Sequence, residues 1–183
     1  STVSQGLVQA YEKLISREVY LVPNVPPYEE LSPQPLETGK IRLVHHGGFG
    51  PGRDLHGLID AVGILGEGYE LHFYLLGKSS LISGLKRKAR KAPVFFHEPV
   101  PTEDIAREIS KYDIGVFLLR DETINNKYVM PNKLFEFVQA RLAIVTSPNP
   151  EMKQFIVEQQ VGRVAENCSG SALAEVIRGM DAD

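Results

Sequence analysis

From Ile41 onward the chain alternates between short apolar runs and longer amphipathic stretches. The apolar runs are IRLVHH, LHFYLLG, VFFHEPV, IGVFLL, AIVTS and GRVAE, starting at Ile41, Leu71, Val94, Ile114, Ala143 and Gly162. Between them lie LHGLIDAVGIL, SSLISGLKRKARK, TEDIAREISKY, the stretch after Asn132, PEMKQFIVEQQ and SGSALAEVIRGM, all with apolar residues at helical spacing. Strands that are apolar on nearly every residue are buried on both faces, and their alternation with helices predicts a parallel sheet covered on both sides. The expected fold is α/β, a doubly wound, Rossmann-like parallel sheet. Such sheets bind ligands outside the carboxyl ends of their strands, where the Gly-rich HHGGFGPG and the loop before Pro131 should both sit.

Residues 1–40 do not continue this alternation. TVSQGLVQAYEKL predicts a helix begun at Ser4, EVYLVPN a strand, and VPPYEELSPQPLETGK a Pro-rich connector. The expected division is therefore 1–40 and 41–183.

Composition narrows the partners. A chain of 183 residues suffices for one domain with a sizeable core, or one domain plus a remnant of another. A net charge of -3 and a pI near 6.0 argue against nucleic acid as a partner. The run KRKARK at Lys86 to Lys91 is the local exception; it could touch anionic lipid or phosphate, or simply be a solvated helix face. The lone Cys168 allows no intramolecular disulfide and points to a reducing, cytoplasmic setting. No apolar run approaches the roughly 18 residues of a membrane helix.

The candidate chemistry concentrates in YVMPNKLFEFVQA, from Tyr128 to Ala140. Pro131 suits the start of a helix and Asn132 can cap it, while Leu134, Phe135 and Val138 form an apolar stripe. Free N–H groups at that helix start, the positive end of its dipole and the ammonium of Lys133 suit a phosphate or pyrophosphate. Glu136, one turn on, is spaced to accept hydrogen bonds from vicinal ribose hydroxyls, so the pairing points to a nucleotide. An amphipathic helix with a good N-terminus is the plainer alternative.

A second cluster runs from His45 through Gly47, Gly48 and Gly50 to Arg53. Glycines after a first strand let the backbone approach a ligand, and Arg53 could pair with pyrophosphate in fork geometry. The order is neither G-x-G-x-x-G nor a P-loop, so neither NAD binding nor ATP hydrolysis is expected. The five histidines suggest no metal site. His45 and His46 are adjacent and point to opposite faces of a strand, where one of them could reach the phosphates; His72 and His97 fall in other strands. Lys78, just after LLG, could border the same cleft.

PNKLFEF followed by VQARLAIVTS resembles the C-terminal, donor-binding domain of the retaining glycosyltransferases of group 1, which have the two-domain GT-B architecture. The resemblance implies a nucleotide-diphosphate sugar donor, no cofactor and no metal, and polysaccharide biosynthesis at or near the inner face of a membrane as a peripheral protein. It implies that Glu136 holds the ribose, that Asn132 and Lys133 hold the diphosphate, and that Gly47 and Gly48 lie against the donor. The position where many members carry a phosphate-binding lysine falls on Arg53, and that of a common arginine on Gly48. Val100, in HEPVP, falls where a loop meets the nucleobase. Many members also carry an earlier glutamate near the donor sugar, and counting back puts that position at Tyr128. Residues 1–40 resemble the tail of an N-terminal acceptor domain plus the hinge, and the end at Asp183 falls before a helix that crosses back to that domain. On this reading the chain alone binds donor but lacks the acceptor walls needed for transfer. A nucleotide-sugar epimerase of the same architecture and a non-catalytic α/β binding module are the other readings.

Overall fold

The computed structural model describes residues 1–35 and 39–180. The part of the predicted connector at 36–38 and the expected end at Asp183 lie outside the described residues. All six apolar runs become strands: β1 (Ile41–Gly48), β2 (Tyr69–Leu76), β3 (Val94–His97), β4 (Ile114–Phe117), β5 (Ala143–Thr146) and β6 (Gly162–Val164). They form one sheet in the order β3-β2-β1-β4-β5-β6, and every neighbouring pair is parallel. The helices are α1 (Gln5–Ile15), α2 (Leu55–Leu65), α3 (Ser79–Lys88), α4 (Ile105–Ile109), α5 (Ile124–Lys127), α6 (Asn132–Gln139), α7 (Pro150–Gln159) and α8 (Gly170–Arg178).

β1 illustrates why the runs are apolar throughout. Its adjacent residues Leu43 and Val44 point to opposite faces, each into its own core. Leu43 joins Leu58, Phe73 and Val116 beneath α2 and α8. Val44 joins Ile109, Phe117, Phe137, Ile144 and Met152 beneath α4, α6 and α7. Gly115 in β4 sets how closely α6 can approach, because a Cβ there would lie 2.4 Å from the ring of Phe137. Short polar residues start several of the helices, as the Asp54 carboxylate accepts from the Gly57 amide at 2.8 Å and the Ser169 hydroxyl from that of Ala172 at 3.2 Å.

Four stretches differ from expectation. EVYLVPN is not a strand: Leu21 makes a single bridge to Thr2, and Tyr20, Leu21 and Val22 are exposed. A β-prone segment with no neighbouring strand has no ladder to join, so propensity alone does not shape it. TEDIAREISKY forms only the short α4 after a 3₁₀ turn at Thr102–Asp104. An unexpected turn of helix, α5, forms before Tyr128, its amide at Asn126 capped by the Thr123 hydroxyl at 3.1 Å. SSLISGLKRKARK divides into α3 and a 3₁₀ turn at Ala89–Lys91.

The predicted helix from Ser4 does form. It rests on the domain through its first turns, where Leu7 and Val8 are buried, the Gly6 amide donates to Glu151 at 2.7 Å and the Ser4 hydroxyl donates to the Tyr128 carbonyl. The connector then passes the far end of α6, where the Gln139 amide donates to the Glu29 carbonyl and Arg141 Nε to that of Leu31 at 3.0 Å.

Candidate functional site

The sheet order changes direction between β1 and β4, the point at which a doubly wound sheet opens a crevice at its carboxyl edge. A cleft of about 430 Å³ lies there. Seven of the residues picked out in the sequence line it: Gly47, Gly48, Arg53, Val100, Asn132, Lys133 and Glu136. They come from the end of β1, the loop after it, the loop after β3 and the first two turns of α6.

The loop after β1 is fastened to the chain beyond β4. Asp54 N donates to Leu118 O at 3.0 Å and Arg120 N to Gly52 O at 2.8 Å, while the Arg120 guanidinium donates to Asp54 at 2.9 Å. Gly47 has φ +98, a conformation that favours glycine, and a Cβ there would sit 3.5 Å from Lys133 Nζ. Arg53 turns back so that one guanidinium nitrogen donates to the Gly48 carbonyl, leaving the rest of its fork for the cleft. Burial lowers its pKa from the ordinary arginine value.

On the opposite wall, Pro131 rather than Asn132 occupies the cap of α6, and no side chain caps that helix. The expectation that Asn132 caps it is corrected by one position, because the extended backbone of Pro131 already makes the turn into the helix. Asn132 is the first helical residue, and helix geometry leaves its amide and that of Lys133 without an intrahelical acceptor.

Lys133 is buried rather than extended into solvent. Its Nζ donates to the His46 carbonyl at 2.6 Å, lies 3.4 Å from His45 Nε2 and sits 4.5 Å from the centroid of the Phe117 ring. His45 Nδ1 faces the Val116 carbonyl at 2.9 Å; a carbonyl only accepts, so Nδ1 carries the hydrogen and Nε2 offers its lone pair to Lys133. Burial, then the charge of Arg53, lowers the Lys133 pKa to about 7 against a raising contribution from Glu136. Burial raises the pKa of Glu136, and Lys133 opposes it. The buried His45 is held neutral by burial and by Lys133. His46 lines the cleft beside Glu136, with Nε2 3.2 Å from Glu136 Oε2.

Other residues prove to belong or not to belong. Tyr74, near the end of β2, also lines the cleft, and its place at the carboxyl end of a strand next to β1 was the available signal. A smaller pocket of about 320 Å³ adjoins the cleft, where Asn24 to Pro27 and Glu103 meet Asn132 and Glu136. Lys78 is exposed and is not among the residues lining the cleft. Tyr128, where the resemblance implied an earlier glutamate, packs on the start of α1, where its ring lies 2.4 Å from a Cβ built on Gly6. His72 and His97 pair with each other, Nδ1 to Nε2 at 2.9 Å, at the β2–β3 edge. Among the described residues no three His, Cys, Asp or Glu side chains converge as a metal site, and no helix is long and apolar enough to cross a membrane.

Residues 40–183 match the family model of the glycosyl transferases group 1. No curated protein matches significantly. The fold is similar to WaaG, a glycosyltransferase involved in lipopolysaccharide biosynthesis, with a TM-score of 0.74 at 17% identity over 100% of this chain. It is similar to S. aureus TarM in complex with fondaparinux, alpha-GlcNAc-glycerol and UDP, with a TM-score of 0.77 at 13% identity over 100% of this chain. HepE of Anabaena, in complex with UDP and glucose, gives a TM-score of 0.62 at 15% identity over 79% of this chain and 40% of its own. The chain spans 53% of the WaaG chain and 36% of the TarM chain.

Proposed function

The chain belongs to the glycosyl transferases group 1, and from that premise we propose that residues 41–183 bind a nucleotide-diphosphate sugar for transfer of its sugar to an acceptor. The observation that carries this reading is the convergence of two cations, a buried carboxylate and the free amides of a helix start on one cleft at the switch point of the sheet. The diphosphate lies against Arg53, Lys133 and the amides of Asn132 and Lys133; the ribose lies against Glu136, and the base near Val100. UDP in TarM and in HepE, proteins of this fold, is consistent with such a donor. As the leaving diphosphate gains charge, the two cations and the helix amides stabilise it, and no divalent ion enters the proposed mechanism. Retention at the anomeric carbon follows from the family resemblance.

Residues 1–40 are, on this reading, the tail of an acceptor-binding domain and the hinge. Transfer requires both substrates held together with water excluded, so these 183 residues are expected to bind donor without transferring sugar. Sugar transfer by them alone, measured with labelled donors, would remove that domain reading.

Calorimetric titration with UDP, GDP and ADP tests the site. Arg53→Ala is expected to weaken the tightest of these about tenfold, the worth of one charge-assisted bond, while leaving the corresponding nucleoside nearly unaffected. Lys86→Ala should change neither, since Lys86 lies on α3 with its Nζ 5.6 Å from the Phe96 ring centroid and is not among the residues lining the cleft. A larger effect from Lys86 would put the anion site on the wrong face. The exposed Arg87, Arg90 and Lys91 are proposed to give the protein a peripheral contact with anionic membrane. Equal cosedimentation with neutral and phosphatidylserine vesicles would exclude that contact.

A further inference from the structure

His46 is a polar side chain in a place where packing asks for an apolar one. It lies on β1, 7% exposed, with its ring edge-on to Phe137 at 5.3 Å and 84°. A leucine would fill the same space without stranding a nitrogen. As it stands, His46 Nε2 is buried and has no hydrogen-bond partner. A buried ring nitrogen without a partner is costly, so what it faces matters.

It faces Glu136. The 3.2 Å separation from Oε2 is within reach of a bond, but the angle falls outside hydrogen-bond geometry. The same residue holds the neighbouring cation, since its carbonyl accepts from Lys133 Nζ at 2.6 Å. His46 thus touches both charged groups of α6 that the donor-site reading uses. Burial, followed by Lys133 and Arg53, pushes its pKa down to about 3, so it cannot serve as a third cation. A neutral imidazole beside a carboxylate, which only accepts, is useful as the Nε2–H tautomer, a donor with a fixed direction.

We propose that His46 is a positioning residue whose Nε2–H fixes one oxygen of Glu136, Oε2, leaving the other free to accept from the ribose hydroxyls. The bond closes with a small rotation of the carboxylate when a ribose engages the free oxygen. His46 therefore sets how well the site distinguishes ribose from deoxyribose, without touching the sugar itself. This inference rests on the donor-site reading above.

The test compares UDP, GDP and ADP, each with its 2′-deoxy counterpart, in the wild type, His46→Leu and His46→Gln, with thermal melts to show that each variant is folded. The wild type should prefer the ribose form about tenfold, as expected for one bond to a carboxylate. His46→Leu should lose most of that preference, falling to about twofold or less, because the freed carboxylate no longer presents one oxygen. His46→Gln, whose amide nitrogen can take the place of Nε2, should keep it. Nitrogen NMR of the imidazole should show the Nε2–H tautomer whether or not nucleotide is present. Full ribose preference in His46→Leu would overturn the inference alone, as would equal loss in both variants or the Nδ1–H tautomer in the wild type. No binding of any of the three nucleotides by the wild type would overturn the donor site, and this inference with it.

Discussion

Replacing Lys133 by Met is expected to weaken nucleoside diphosphate binding on the order of 100-fold at pH 7, consistent with about 2 to 5 kcal/mol for truncating one partner of a buried charge pair. The effect is large because this ammonium is already desolvated and aimed. The His46 carbonyl, His45 and the face of Phe117 hold it beside Gly47, where the chain offers no side chain between it and a ligand. Its pKa near 7 gives a pH signature. A bound diphosphate favours the charged form and raises that pKa, so binding takes up a proton above pH 7 and affinity falls as pH rises. Below about pH 7 the lysine is charged in both states and adds no slope. Lys133→Met should remove this pH dependence, as calorimetry in buffers of different ionisation enthalpy would show. The same group gives a stability signature of known sign. Its folded pKa lies below the ordinary lysine value of about 10.4, so the unfolded chain binds more protons between roughly pH 7 and 10. Wild-type stability should therefore rise with pH across that window, and the rise should be absent in the variant. Equal diphosphate affinity in the two proteins would remove Lys133 from the site.

Glu136→Gln is expected to lower nucleotide affinity about tenfold to a hundredfold, since one or more charge-assisted bonds to ribose hydroxyls, each worth roughly 1.5 to 3 kcal/mol, become neutral ones. The shape of the side chain is kept, so the fold should not suffer. Stability is expected to hold or improve at neutral pH. Burial raises the folded pKa of Glu136 above its unfolded value, so the native state binds the extra proton and loses stability as pH rises through that interval. Glutamine has no such loss. Wild-type affinity should fall as pH drops through the raised pKa of Glu136, whereas the variant should show no such acid limb. Nucleoside titrations from mildly acidic to neutral pH measure it, and superimposable profiles would end the ribose role.

The two substitutions separate two halves of one ligand. Lys133→Met should act mainly on diphosphates and Glu136→Gln on anything carrying a ribose. An equal loss of nucleoside and diphosphate binding in Lys133→Met would mean that this substitution merely loosens α6, which packs through Leu134 and Phe137 into the core under β4 and β5. Melting temperatures of both variants decide between the cases.

The sheet and the residues gathered at its carboxyl edge were legible in the sequence because both depend on local patterns. An apolar run between helices can be satisfied only inside a covered parallel sheet, and all six runs are found there. The order Pro131, Asn132, Lys133, with Glu136 a turn later, places a cation and a carboxylate at a helix start in whatever surroundings the helix finds. Local pattern also misled where no neighbour supported it. EVYLVPN has the composition of a strand, but it pairs only through one bridge, Leu21 to Thr2, held by the Tyr20 carbonyl and the Val22 amide. Asn132 has the chemistry of a cap, yet Pro131 already supplies the turn.

Charge states and directions were decided by the tertiary structure, because they depend on groups distant in sequence. Lys133 reads as an ordinary exposed cation until β1 brings the His46 carbonyl to 2.6 Å and Phe117 of β4 beneath it, and desolvation then pulls its pKa to about 7. His46 and Glu136 are ninety residues apart, and only the packing of α6 against β1 sets Nε2 3.2 Å from the carboxylate. Tyr128 stands where the family resemblance implied an acid, but that it lies against α1 depends on where the first residues of the chain dock. Periodicity and helix starts are encoded within a few residues of chain, whereas burial and the charges that act through it belong to the assembled core.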